Sequence, residues 1–251
     1  MSEDSKSNSQ GEKELTFLEH LEELRSRIIK AILALSFGVI ICYFFTSYII
    51  DFLLKPFEAS GPAHLSLLAP TEGFLVKLKT ALLAGIVLSS PATFYQFWKF
   101  IAPGLYEKER RAILPVVIWS VILFLTGAYF SYRMLPFALK FFQSFALENV
   151  ENFWSFSKYI SFVTYLLLAF GLVFELPLII YYSARMGLVT PEFLRKKRRH
   201  AIVILLIIAA VVTPPDIFTM LMLSGPLIIL YEASIFLAVI AHKKAKNKSI
   251  S

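Results

Sequence analysis

The chain has 251 residues, 57% hydrophobic and 15% aromatic, with a formal net charge of +7. A mean hydropathy of +0.66 excludes an ordinary soluble domain and points to a polytopic membrane protein. A single cysteine, Cys42, excludes an intrachain disulfide.

Residues 1–14 are polar and low in complexity. They carry no apolar h-region and no cleavage site, so they read as a disordered cytoplasmic tail, not a signal peptide. Phe17, Leu21, Leu24 and Ile28 then recur at helical spacing. That predicts an amphipathic helix on the membrane surface, running into the first crossing. Six apolar segments follow, at 28–50, 74–100, 113–132, 159–184, 201–213 and 217–241. The fifth is short, about 20 Å of helix against a hydrocarbon core of about 30 Å. Pro214 and Pro215 stop it. Pro91, Pro177 and Pro226 fall inside other segments, where they are expected to kink helices and free backbone carbonyls. Trp98, Trp154 and Tyr159 fall near the segment ends, as an aromatic belt would. The stretch 136–145 reads as an interfacial helix on the outer face. Residues 242–251 read as a basic tail.

Lysine and arginine alternate sharply between the connections. One side holds 19 of them, in the N-terminal stretch, the second and fourth loops and the tail; the other side holds 6. The positive-inside rule then predicts six crossings with both termini in the cytoplasm. The basic run 195–199 lies between two membrane segments, which favours this topological reading over binding to nucleic acid.

Glu175 is the one charge in the run 159–184. A carboxylate at membrane depth costs about 2.5–3.5 kcal/mol on insertion scales, and such groups are functional by default. The competing account is a protonated carboxyl, or one paired to a neighbouring helix, that only helps packing.

The sequence has no P-loop, no GxGxxG, no HExxH and no clustered metal-ligand set. His20, His64, His200 and His242 lie on different connections. The chain reads as a non-enzyme without a cofactor, whose energy comes from a gradient or a partner.

Two acidic motifs lie on the cytoplasmic side. The stretch 17–25 holds Glu19, Glu22 and Glu23; the stretch 100–111 holds Glu107 and Glu109 and opens the third crossing. A bland account serves both. Glu109 at a helix start complements the macrodipole, and Arg25, Arg110 and Arg111 can pair with the glutamates as surface charges.

Four elements occur together and in order. They are HLxELR at 20–25, FIxPxLYxxERR at 100–111, FGxxFExP at 170–177 and TPPD at 213–216. This set resembles the TatC family, the multispanning receptor subunit of the twin-arginine protein translocase, over about residues 15–241. Pro56, Pro70-Thr71-Glu72, Phe94 to Trp98 and Tyr231-Glu232 add to the likeness.

The resemblance implies an all-α integral membrane protein of six tilted helices in a cupped shape, with short fifth and sixth helices. It implies binding of twin-arginine signal peptides on folded proteins, recruitment of TatA/TatB-type single-span partners, self-association in a larger complex, and transport driven by the proton-motive force across a bacterial inner membrane. Glu23 and Glu109 match the family's signal-peptide glutamates, and Glu175 matches its intramembrane glutamate. His20, Leu21, Leu24, Arg25, Pro56, Phe100, Pro103, Tyr106, Arg110 and Arg111 match the surrounding motifs. Thr213, Asp216 and Met220 match the contact with the partner helix, with one departure: Met220 stands where many members carry Gln.

Two other classes use parts of the same pattern. A proton-coupled permease uses a membrane carboxylate but usually shows internal repeats and paired broken helices, which this sequence lacks. A pure scaffold would need no cytoplasmic acids.

Overall fold

The computed structural model describes residues 4–61, 64–101, 113–145, 153–212 and 217–248; within 4–20, 212, 217–219, 222–223 and 244–248 it describes the backbone alone. Nine helices and two short strands are described. Helix α1 (Asp4–Phe44) is followed by α2 (Thr46–Glu58) and β1 (His64–Ser66). Then come α3 (Glu72–Ile101), α4 (Ile113–Gln143) and β2 (Phe153–Ser155). Helices α5 (Phe156–Val173) and α6 (Leu176–Arg185) continue one another across a break. A single turn, α7 (Pro191–Lys196), leads to α8 (Arg198–Val212) and α9 (Ile217–Lys248).

Among the described residues, five stretches are long and apolar enough to cross a membrane: Leu21–Phe44, Glu72–Ile101, Ile113–Gln143, Phe156–Arg185 and Ser224–Lys243. Phe37, Phe44, Ile229 and Val211 stay exposed on the outside of the bundle. Side chains of that kind fit lipid, since the hydrocarbon core solvates them and leaves only backbone polar groups to be satisfied internally. Helix α8 spans 15 residues, about 22 Å, and covers the short fifth apolar segment of the sequence. Helix α9 is not short. It runs 32 residues and carries its helical backbone to Lys248, past the boundary expected near residue 241. Helix α1 is helical back to Asp4, through residues whose composition reads as a tail.

Glycines set two of the helix crossings. A Cβ on Gly85 of α3 would lie 2.7 Å from the Val39 nitrogen of α1, and one on Gly38 would lie 2.9 Å from the Gly85 oxygen. Backbone meets backbone there, and only glycine permits it. A Cβ on Gly127 of α4 would likewise lie 2.5 Å from the Phe170 carbonyl of α5. The main core is centred on α5, whose Ile160, Val163 and Leu166 share one buried cluster with Leu135 and Leu139 of α4 and Leu227 of α9.

One end of the bundle is tied together by polar contacts, one of them to a carbonyl that the chain itself frees. Pro56, inside α2, has no N–H for the Phe52 carbonyl one turn back. Tyr132 Oη donates to that carbonyl at 2.8 Å, and the two rings stack at 4.6 Å. Tyr159 Oη donates to the neighbouring Leu53 carbonyl at 2.5 Å. Strands β1 and β2 pair in parallel, with Leu65 opposite Trp154. The Glu72 carboxylate accepts from Leu68 N–H at 2.8 Å and from Ser155 Oγ at 3.1 Å.

Three further sequence expectations change. The stretch 136–145 is not a separate interfacial helix. Its first eight residues complete α4, and Leu135, Ala138 and Leu139 are at most 1% exposed, so core packing carries the helix through Pro136. Tyr159 and Trp98 are not belt residues: they are 3% and 4% exposed. The run 28–50 is broken at Phe45, between α1 and α2.

Candidate functional site

Two groups of residues carry polar chemistry in apolar surroundings. The first lies at the start of the first crossing. On α1, Leu21, Glu22 and Arg25 are exposed, while Glu23, Leu24 and Arg27 are half-buried. Glu23 and Arg27 are one helical turn apart and form an ion pair. Arg27 Nε donates to Glu23 Oε1 at 3.1 Å, and its Nη2 donates to the same oxygen. The Arg27 side chain is 13% exposed and that of Glu23 is 35% exposed. Glu23 therefore already holds a guanidinium, the group for which planar, forked N–H donors give a carboxylate its tightest match.

Arg27 is a residue that motif reasoning passed over. Its signal was the Glu-to-Arg spacing of four, which places both side chains on one helix face.

The second group surrounds Glu175. Helix α5 ends at Val173, and Phe174 and Glu175 form the turn before α6. Pro177 opens α6. It has no N–H for the Val173 carbonyl, so the helical ladder is interrupted there. The Glu175 carbonyl accepts from the N–H groups of Leu178 and Ile179, both at 3.0 Å. The Glu175 side chain is thus carried at a helix joint, and it is 4% exposed.

Helices distant in sequence pack against α6 just beyond it, on Leu178 and Tyr182. Trp98, near the end of α3, donates its Nε1–H to Ser120 Oγ of α4 at 2.7 Å. Ser120 is fully buried. Trp98 also packs on Tyr182 of α6, with ring centroids 5.1 Å apart, and on Val116 and Val117 of α4. Glu175 Oε1 is buried with no hydrogen-bond partner among the described residues.

Ser120 is the second residue missed from sequence. Ser120, Gly127 and Ser131 are small residues buried along one apolar helix, which is the available signal for a helix contact face.

The remaining expectations divide by position. Pro56 is buried in α2. Phe100 lies in the last turn of α3, half-buried. Met220 lies early in α9 and packs against the main core. His20 is on α1, with its side chain outside the described residues. Pro103, Tyr106, Glu109, Arg110, Arg111, Thr213 and Asp216 lie outside the described residues. Among the described residues no group of His, Cys, Asp and Glu is placed to hold a metal ion.

The comparisons agree with this architecture. The family model "Sec-independent protein translocase protein (TatC)" matches residues 19–226. The chain is 43% identical over 240 residues to the TatC protein of Desulforapulum autotrophicum, covering 94% of this chain and 88% of that one. It is 40% identical over 233 residues to TatC of Aquifex aeolicus, covering 91% and 97%. It is 39% identical over 238 residues to TatCy of Bacillus subtilis, covering 94% and 93%. A crystal structure described as the twin arginine translocase receptor TatC superposes with a TM-score of 0.81 at 39% identity, covering 88% of this chain and 99% of that one. The chain therefore belongs to the TatC family: it is a multi-pass membrane component of the Sec-independent, twin-arginine protein translocase, a transport protein and not an enzyme.

Proposed function

We propose that this chain is the receptor of its translocase, in a bacterial cytoplasmic membrane with both termini inside. Residues 15–241 make six crossings in a cupped arrangement, α8 serving as a short fifth. The receptor binds the twin arginines of a signal peptide at Glu23 and Glu109 on the cytoplasmic face. The apolar part of the peptide then lies along the bundle toward Glu175. TatA/TatB-type single-span partners dock on the last two crossings, near Thr213, Asp216 and Met220. Further copies join in a larger complex, and the proton-motive force drives transport.

The observation that carries this reading is the full-length likeness to TatC proteins, over 94% of the chain in one relative. Two local features support the residue roles. Glu23 engages a guanidinium at the start of the first crossing. Glu175 keeps an unsatisfied oxygen at a helix break, deep in an apolar bundle. Desolvation makes an unpaired buried polar atom unfavourable, so a structure that retains one has a use for it.

The test is crosslinking of a photoreactive twin-arginine signal peptide to the purified protein in detergent. The expected result is a crosslink that is lost when the arginine pair becomes Lys-Lys. Lysine keeps the charge but not the planar fork. Equal crosslinking of both peptides would overturn the receptor reading.

A further inference from the structure

Contacts at the end of the bundle that holds α2 bring four helices to one level. Tyr132 of α4 donates to the Phe52 carbonyl of α2 and stacks on its ring. Tyr159, in the first turn of α5, donates to the next carbonyl, that of Leu53. Lys79 of α3 donates from Nζ to Ser157 Oγ at 3.0 Å and to Ser161 Oγ at 2.8 Å, and these serines lie on either side of Tyr159. That level is about one hydrocarbon thickness from the opposite end, where Trp98 of α3 packs on Val116 and Val117 of α4. Helix α4 runs 31 residues, about 46 Å against a core of about 30 Å. Counted from Ile113, it reaches Tyr132 after about 29 Å. Helix α3, counted back from Ile101, reaches Lys79 after about 33 Å. The surface changes at the same level. No charge occurs in 31–50 or in 113–132; just beyond, Asp51, Lys55 and Arg133 are exposed. Tyr48, Phe52 and Lys55 follow one face of α2 at helical spacing, and Tyr129 stands one turn before Arg133. The rings of Tyr48, Phe52 and Tyr129 are each at least half exposed, and Lys55 Nζ lies 6.0 Å from the Phe52 ring centroid.

We propose that Tyr48 and Phe52 of α2, together with Tyr129 of α4, dock into the headgroup layer of the bilayer and fix how deep the bundle sits. Their rings rest at the edge of the hydrocarbon, where an apolar body with a polar tip is most favourable. Lys55 and Arg133 lie with their stems along those rings and their charges among the phosphates. This supplies on α2 and α4 the aromatic belt that Trp98 and Tyr159, both buried, do not form. It also places α2 beyond Phe52, and α4 beyond Arg133, outside the hydrocarbon. The first crossing then ends near Phe44, and the break at Phe45 is where the chain leaves the apolar layer. Charges of both signs beside tyrosine hydroxyls suit a wet, ionic layer better than the apolar flank of another helix.

The experiment measures depth with nitroxide spin labels on the full chain in phospholipid vesicles. Cys42→Ala removes the native thiol, and Tyr48→Cys or Tyr129→Cys carries the label. Both positions are exposed, so a label there displaces no packed side chain. Collision with oxygen, which concentrates in lipid, is compared with collision with a water-soluble nickel chelate. Labels at 48 and 129 should meet both reagents and should agree in depth to within about one helical turn, ~5 Å. Two positions on α4 calibrate the scale. Ile122→Cys should read about 10 Å deeper than 129 and meet oxygen alone. Lys140→Cys, about 16 Å further out than 129, should meet nickel alone. Three results would overturn the inference. Oxygen alone at 48 and 129 would put both in the hydrocarbon. Nickel alone would put both in water. Contact with neither reagent would mean that a second copy or another protein covers this face.

Discussion

Arg27 holds its guanidinium on the carboxylate of Glu23, one turn away on the same helix face. A signal-peptide arginine that takes Glu23 must share or displace this resident one. Helical ion pairs at this spacing contribute about 0.3–0.5 kcal/mol. Arg27→Gln should therefore tighten binding of a twin-arginine peptide about two-fold, as read from a binding isotherm in detergent. Weaker binding would mean that Arg27 orients Glu23 and does not compete for it.

Glu23→Ala and Glu109→Ala should each weaken the same binding while the protein still inserts. Glu22→Ala should matter less: Glu22 is exposed, and the motif match places the functional acid one residue later. Normal crosslinking of a twin-arginine peptide to the Glu23→Ala, Glu109→Ala double variant would remove both residues from the site.

At the end of the bundle that holds α2, Tyr132→Phe keeps the stack on Phe52 and removes the proton donated to the Phe52 carbonyl. It should lower stability in detergent by about 1 kcal/mol. Pro56→Ala supplies the control. In a Pro56→Ala background the alanine N–H can take that carbonyl, so Tyr132→Phe should cost less there. An equal loss in both backgrounds would show that Pro56 does not free the carbonyl.

Gly85→Ala and Gly225→Ala should differ in sign. A Cβ on Gly85 would press on the Val39 nitrogen and Cα of α1, at 2.7 and 2.8 Å. The two helices must separate, at a cost of about 1–3 kcal/mol. A Cβ on Gly225 meets nothing within 4 Å, and alanine in a helix gains up to about 1 kcal/mol over glycine. Thermal unfolding of the two variants in detergent reads the contrast directly.

The long crossings were legible because hydropathy over some twenty residues is a strong signal and needs no knowledge of neighbours. The short α8 was legible for the same reason, from its length and the proline pair that follows. The break at Glu175 could be read from Pro177, since proline acts locally. What the sequence hid was non-local. Strands β1 and β2 have three residues each and pair across some 90 positions, too short for any pattern to show. The run 136–145 looked interfacial because it mixes Lys140 with aromatics. Its helix is decided by Leu135 and Leu139, which are buried against α5 in a core that no local window contains. Trp98 looked like a belt residue by position. Its indole turns inward because Ser120, 22 residues away, is there to accept its proton. Glu175 was found as a lone charge, but the company it keeps was not.

Met220 tests the face where partners are proposed to dock. It packs against the main core from early in α9, where a thioether is adaptable filler. Docking there should rest more on apolar packing than in members that carry Gln. Met220→Gln should keep partner co-purification, at a stability loss of about 1 kcal/mol for the partly buried amide. Complete loss of co-purification at matched protein levels would show that this face is not the one described.

Glu175→Gln and Glu175→Ala separate the two uses of a buried carboxyl. Gln keeps the shape, one carbonyl acceptor, and an N–H₂ donor in place of a carboxyl proton. Ala keeps none of these. If the residue works as a polar contact at the α5–α6 joint, Gln should preserve insertion and much of the export. Ala should insert at least as well, because the cost of placing a carboxyl in the membrane is gone, but it should export poorly. An obligate proton carrier predicts otherwise: Gln cannot take up and release a proton, so it should be as inactive as Ala. Export rates of the two variants at matched membrane levels decide between these accounts. Equal inactivity of both rules out the contact role, and full export by Ala reduces Glu175 to a packing residue.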